Sequence, residues 1–398
     1  MNLIAIKMLT GDRAKYFGIL MGLTFASLLI TQELAIFVGI MTRTYCAITD
    51  LGLPDIWVMD PKVQFIDDVK PMQDTVLTRV RGIEGVQWAV PLYKGLISAR
   101  IDNGQFQTCN VMGLDDATLI GGPPAMAPDS TGAVGSLADL RRADAVIVDQ
   151  IGAQTKLAQT PRDGLGDPIP GAAPIPLKIG DTLELNDHRA VVVGISKNQR
   201  TFQSQPIIYT TYTRALAIAP PQRKLLSFVL VKADPAVVPG DLCQRINATT
   251  GLSAYTQNQF IWFTVWYYLR ETGIPINFGI AVGLVFVVGT VIAGQNFHTF
   301  TLDNLRHFGA LKAMGATNAT LLRMIILQAL LVGWIGYGLG VGCASAFGYA
   351  VRDTMLAFRL TWHILAVSAA SISIICVLSA TLALRNVMRL EPAIVFKT

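Results

Sequence analysis

Pro275-Ile-Asn-Phe-Gly-Ile-Ala-Val-Gly-Leu-Val-Phe-Val-Val-Gly-Thr-Val-Ile-Ala-Gly294 carries no charged side chain. About 20 such residues are what a helix needs to cross the ~30 Å hydrocarbon core of a bilayer. Working outward, three more runs meet the same requirement. Residues 17–40 are apolar but for a few polar positions, Gln32 and Glu33 the largest of them, and residues 324–351 and 363–384 are uncharged. One span therefore precedes a long soluble stretch and three follow it. With 52% hydrophobic residues and positive mean hydropathy, the expected fold is a membrane protein. It has four transmembrane α-helices and a large mixed α/β extracytoplasmic domain inserted between helices 1 and 2.

Charge gives this layout a direction. Lys7, Arg13, Lys15, Arg306, Lys312, Arg323, Arg385, Arg389 and Lys397 lie on one side, against only Asp12, Asp303 and Glu391. Basic residues mark the cytoplasmic side, so both termini and the loop between spans two and three are expected there. Residues 43–271 hold 21 basic and 22 acidic side chains, close to neutral. The formal charge of +5 is thus a topology signal rather than a nucleic-acid footprint. The divisions expected are a cytoplasmic N-terminus (1–16), helix 1 (17–41), the outer domain (42–257), a stalk with helix 2 (258–297), a cytoplasmic loop (298–323), helix 3 (324–351), a short outer loop (352–362), helix 4 (363–384) and a cytoplasmic tail (385–398). Span one is too long for a signal-peptide core and no small-x-small site follows it, so it is expected to stay as an anchor.

No phosphate loop, His-Glu-x-x-His or Gly-x-Ser-x-Gly motif occurs. His188, His298, His307 and His363 are spread over both sides of the membrane, which excludes a single histidine centre. No catalytic, metal or cofactor residue is therefore assigned. Cys46, Cys109 and Cys243 fall in the outer domain, where a Cys109–Cys243 bridge stays open.

Within that domain, Asp144-Ala-Val-Ile-Val-Asp149, Ala190-Val-Val-Val-Gly-Ile195 and Ser227-Phe-Val-Leu-Val-Lys232 read as strands. Asn186-Asp187 reads as a hairpin turn. Helices are expected near 69–81, 137–142 and 241–249, and exposed loops at 121–136 and 160–176. Strands alternating with helices suggest two α/β lobes. Phe260, Trp262, Phe263, Trp266, Tyr267 and Tyr268, just ahead of span two, suit an aromatic belt at the membrane interface.

In the cytoplasmic loop, Leu302, Leu305, Phe308, Leu311 and Met314 recur every third residue, a single apolar stripe on a short helix, with Arg306 and Lys312 off it. Gly315 suits its C-terminal stop and Thr317 or Asn318 the next N-cap. Such a helix lies on lipid or enters a partner's groove, and periodicity does not choose between them. In the spans, Gly279 and Gly283, Gly336 and Gly340, and Gly338 and Gly342 allow close helix approach, within one subunit or across a dimer. Glu33 lies near the outer end of span one, to snorkel or to pair with another helix and transmit movement. Gln328 suits an interhelical hydrogen bond.

Phe308-Gly-Ala-Leu-Lys-Ala-Met-Gly-Ala-Thr317, the Leu321–Leu331 run after it and Glu391-Pro-Ala-Ile-Val-Phe-Lys397 resemble the corresponding segments of the FtsX/MacB-type ABC transporter permease family. Glu84-Gly-Val-Gln-Trp-Ala-Val-Pro-Leu-Tyr93 and Val111-Met-Gly-Leu114 look most like its DevC-type members, whose ATPase is a separate chain. Many members carry Glu where Arg306 or His307 stands here. The resemblance implies a non-catalytic permease subunit of a mechanotransmission exporter. Residues 302–315 would be its coupling helix, with ATP bound by an ABC ATPase partner. A second permease copy, a periplasmic adaptor and an outer-membrane channel would complete the assembly. Lipoprotein or lipid release by the same architecture is the alternative. A membrane-anchored sensor or scaffold is a further one.

Overall fold

The computed structural model describes residues 13–101, 104–163, 169, 171–221, 225–352 and 354–388. Residues 1–12, the tail 389–398 with its Glu391-Pro-Ala motif, and 164–168 and 170 of the 160–176 loop lie outside these. The chain divides into two units, Met41–Glu271 and the pair Met1–Ile40 with Thr272–Thr398.

Helix α1 (Arg13–Thr49) is the first element. The Met41–Glu271 unit then runs β1 (Ile56–Met59), α2 (Thr75–Arg81), β2 (Val86–Arg100), β3 (Phe106–Leu114), β4 (Met126–Ala127), a 3-10 turn (Leu137–Arg141), β5 (Ala145–Asp149), α3 (Gln150–Gln154), β6 (Thr182–Leu185), β7 (His188–Ser196), β8 (Ile207–Thr211), α4 (Tyr212–Ile218), β9 (Phe228–Ala233), α5 (Pro239–Thr250), β10 (Ser253–Thr256) and α6 (Gln257–Glu271). The strands form one mixed sheet in the order β10-β1-β9-β2-β3-β8-β5-β7-β4, with β6 beside β2 and β7. The β3–β8 and β5–β7 pairs are parallel and the others antiparallel.

The two lobes exist, but one strand belongs to both. β2 pairs with β9 from Val86 to Leu92 and with β3 from Tyr93 to Arg100. Its first half therefore serves the lobe whose core holds Val58, Val76, Val229 and Ile246, and its second half serves the lobe built on Val111, Val148, Val192 and Ile208. Asn186 and Asp187 take positive φ angles of 46° and 64° between β6 and β7, the backbone that a two-residue hairpin turn requires. The 121–136 segment is largely exposed, as expected of a loop. Its Met126 and Ala127 nevertheless pair with Ser196 and Ile195 of β7, and Met126 packs on an apolar face of the sheet.

The aromatic run also differs from the expected belt. Phe260 is buried against Trp57 and Phe228, Phe65 stacks on Tyr267, and Phe263 stacks on Tyr255. Only Trp262 and Trp266, one helical turn apart on α6, stay exposed among the rings of that run that are tryptophans. A sheet with an uncovered apolar face takes the rings that sequence composition would assign to lipid.

In the other unit stand α7 (Ile274–Asp303), α8 (Leu305–Ala313), α9 (Asn318–Ala350) and α10 (Trp362–Met388). With α1, the helices α7, α9 and α10 are long and apolar enough to cross a membrane. Leu23, Ile30, Phe297, Phe300, Ile325, Val332 and Ile375 pack together at their centre. Helix α7 is apolar on all sides, and Ile276, Ile280, Leu284, Val287 and Val291 stay exposed, as lipid-facing side chains do. Helix α1 has 37 residues, about 55 Å at 1.5 Å each, more than the bilayer core requires. It passes the expected end at 41 because residues 42–49 contain no helix breaker, and Cys46 and Ile48 are buried.

Candidate functional site

The loop between α7 and α9 is built by three local signals. Asn304 interrupts the helix, its side-chain Nδ2 donating to Phe300 O at 2.9 Å, and α8 restarts at once. Gly315, at φ +93°, ends α8. The Ala316 N–H reaches back to Leu311 O at 3.0 Å and Gly315 N–H to Lys312 O at 3.0 Å, a glycine-terminated helix end. Thr317 then caps α9, its Oγ1 accepting from Thr320 N–H. The helix expected over 302–315 is thus shorter, and Leu302 belongs to α7.

The apolar stripe is divided rather than presented whole. Phe308 is 2% exposed and Leu311 8%, both packed in the core with Phe297, Phe300 and Ile325, whereas Leu302 is 45% and Met314 76% exposed. Arg306, His307, Ala310 and Ala313 are exposed as well, and Lys312 is half-buried. A partner would therefore meet Arg306, Ala310, Ala313, Met314 and Gly315. Phe308 and Leu311 hold α8 against its own bundle. Among the described residues, Arg306, Lys312 and Arg323 hold no ion pair, so this surface is open to an acidic one.

The small-residue motifs separate in the same way. A Cβ on Gly340 would lie 2.6 Å from Ser27 Cβ and 2.7 Å from Thr24 O, and one on Gly336 would lie 3.1 Å from Leu23 Cβ. These two glycines let α9 approach α1, and Ser27 Oγ donates to Tyr337 O across that crossing at 3.3 Å. A Cβ on Gly279, Gly283, Gly338 or Gly342 would meet nothing within 4 Å, and all four are exposed, so they are not spent on packing within the chain. Glu33 is half-buried on α1, with no hydrogen-bond or ion-pair partner among the described residues. Gln328 is fully buried in α9.

In the sheet unit, the end of α1 is held by polar contacts that sequence reasoning missed. Asp50 accepts from Gln199 N–H at 3.2 Å, Gln199 Nε2 at 3.1 Å and Asn198 Nδ2 at 3.4 Å. Asn198 Nδ2 also donates to Tyr209 Oη at 2.6 Å, and Gln257 Nε2 donates to Ile48 O at 3.1 Å. Burial pushes the Asp50 carboxyl up, opposed by these hydrogen bonds. Burial and the Asp50 charge push the Tyr209 phenol up. Asp50 follows the last residue of α1, and its partners lie far along the chain.

Cys109 and Cys243 do not form the bridge left open above; both are free and buried. Cys109 lies in β3 within one lobe's core and Cys243 in α5 within the other's. Burial pushes the Cys109 thiol up to about 12, which makes it inert. Among the described residues, no three His, Cys, Asp or Glu side chains gather as metal ligands.

These features define a four-span membrane protein with a short amphipathic helix on the loop between its second and third spans. Residues 279–392 match the model of the FtsX-like permease C-terminal domain. Over 233 residues the chain is 23% identical to an uncharacterized ABC transporter permease of Mycobacterium tuberculosis, in strains CDC 1551 and H37Rv alike; the match takes in 58% of this chain and 61% of the relative. The chain thus spans about six tenths of the length of the curated relatives it matches. Among solved structures, the periplasmic region of MacB from Actinobacillus actinomycetemcomitans shares 14% identity at a TM-score of 0.36, covering 56% of this chain and 96% of that one. The extracellular domain of the noncanonic ABC-type transporter YknZ from Gram-positive bacteria shares 13% at 0.33, covering 52% and 99%.

Proposed function

We propose that the chain is the permease subunit of a mechanotransmission-type ABC exporter in the inner membrane. Its termini and α8 face the cytoplasm, and its sheet unit faces the periplasm. It binds no ATP and carries no catalytic centre or cofactor. A separate ABC ATPase subunit supplies the energy, and two permease copies work with it as a homodimer. A periplasmic adaptor and an outer-membrane channel receive the substrate. The observation that carries this reading is the division of α8. Phe308 and Leu311 bind it to the bundle, while Arg306, Ala310 and Met314 are left outward. A partner pushing on that face moves the bundle with it. The Asp50 contacts support transmission along α1, since they tie its last turn to the loop after β7.

The test is co-expression with a candidate ABC ATPase from the same genome, reading ATPase stimulation by purified permease. Arg306→Glu, Ala310→Asp and Met314→Asp should each lower stimulation about tenfold, the effect of ~1.4 kcal/mol at an interface, with the thermal midpoint unchanged. Unchanged stimulation in all three would remove α8 as the coupling point. A wild-type chain that never retains or stimulates that ATPase would remove the exporter reading.

A further inference from the structure

Where β2 changes partner, after Leu92, its backbone is pinned by one side chain. Ser227 Oγ accepts from Lys94 N–H at 2.9 Å and donates to Lys94 O at 3.2 Å. Just beyond this point a cleft of about 490 Å³ opens in the sheet unit, walled by residues 67–71, by β2 and β3, and by the 201–205 segment. That volume suits a small organic ligand.

The groups in its wall are unusual for a structural surface. The Lys94 side chain is 4% exposed and its ammonium pairs with Asp67. Ammonium carries three N–H donors, and Asp67 occupies one of them. Asn110, 6% exposed, sits opposite Leu96 in the β2–β3 ladder, and its Oδ1 has no hydrogen-bond partner. Gln205 Oε1, buried in the neighbouring segment, has none either. Buried acceptors without partners are rare in folded proteins. A buried ion pair is poor evidence of stabilisation, because desolvation offsets its attraction. Lys94, Asn110 and Gln205 all line this one cleft, and between them they carry an ammonium with spare donors and two acceptors without partners. The charges are balanced, Lys94 by Asp67 and Lys70 by Asp68 at 2.6 Å, so an ion would leave a charge uncompensated. Leu96 and Leu225, exposed at the wall, supply apolar contact for flanking carbons.

We propose that this cleft binds a ligand bearing an uncharged secondary amide. The amide oxygen accepts from Lys94 Nζ, and the amide N–H is shared between Asn110 Oδ1 and Gln205 Oε1. A peptide bond and an N-acetylated amino sugar offer this same chemistry. The inference does not depend on the exporter reading, since it concerns this chain alone.

Calorimetric titration of the full chain in detergent tests it, with N-acetyl-trialanine amide and di-N-acetylchitobiose as probes and cellobiose as the amide-free control. One amide probe should saturate at or below about 1 mM, identifying the source, and cellobiose should not bind. Asn110→Leu and Gln205→Met should each weaken that probe about tenfold, without lowering the thermal midpoint, since each removes an unsatisfied buried acceptor. Should Asn110→Leu fail to fold, Gln205→Met alone decides. No saturation by either amide probe overturns the proposal. So does equal binding of cellobiose, or unchanged binding by the folded variants.

Discussion

Replacing Gly340 by Ala should loosen the membrane bundle, and by a calculable amount. The new methyl would sit 2.6 Å from Ser27 Cβ and Oγ and 2.7 Å from Thr24 O. Carbon atoms rest at about 3.5–4.0 Å, so α9 and α1 must part by roughly 1 Å. One of the blocking atoms is a backbone oxygen, which no rotamer change can move aside. Overpacking of this kind costs about 1–3 kcal/mol. Gly279→Ala is the matched control. Its methyl meets nothing within 4 Å, and a helix-interior alanine is favoured over glycine by about 1 kcal/mol. That gain is common to both variants, so they should differ by the overpacking cost, about 1–3 kcal/mol. Titration with a denaturing detergent, followed by tryptophan fluorescence, measures the difference. If Gly340→Ala proves as stable as Gly279→Ala, the close crossing of α9 over α1 is wrong.

Two further outcomes follow from buried groups. Phe308→Ala should cost about 3–5 kcal/mol through the cavity it leaves, seen in the same titration; a loss below 1 kcal/mol would mean that α8 does not pack on Phe297 and Phe300. Asp149 accepts from Gly152 N–H at 2.8 Å and Ile207 N–H at 2.6 Å, and burial, outweighing these bonds, pushes its carboxyl up. The folded state thus binds this proton more tightly than the unfolded one. Its contribution is full below the ordinary carboxylate range and is lost as pH climbs through the raised value. The stability of wild type relative to Asp149→Asn, read from thermal midpoints, should fall as pH rises above the ordinary carboxylate range; a pH-independent difference would refute this.

The spans were legible because a bilayer accepts little else. Uncharged runs of this length have one physical explanation, and their residues alone decide it. The turn at Asn186-Asp187 was legible for a similar reason, since few residues tolerate positive φ in pairs. β2 was not. Pro91, Lys94 and Gly95 read as breakers in isolation, yet Pro91 lies opposite Val229 in the ladder and Lys94 has Asp67 and Ser227 as partners. β3, with Gln107, Thr108 and Asn110, is too polar to declare itself. For α8 the period of three announced an apolar face, but periodicity carries no information about what covers it. Phe308 and Met314 look alike in sequence and end in opposite surroundings. The Asp50 contacts were hidden for another reason, because their partners stand about 150 positions away.

β2 has a mechanical meaning beyond joining two lobes. A hinge of loose chain would let the lobes open like a clamshell. Here the connection is one unbroken strand, bound to β9 up to Leu92 and to β3 from Tyr93 onward. The two lobes are therefore joined through ordered, hydrogen-bonded backbone, and the twist of that strand fixes how one lobe is turned against the other.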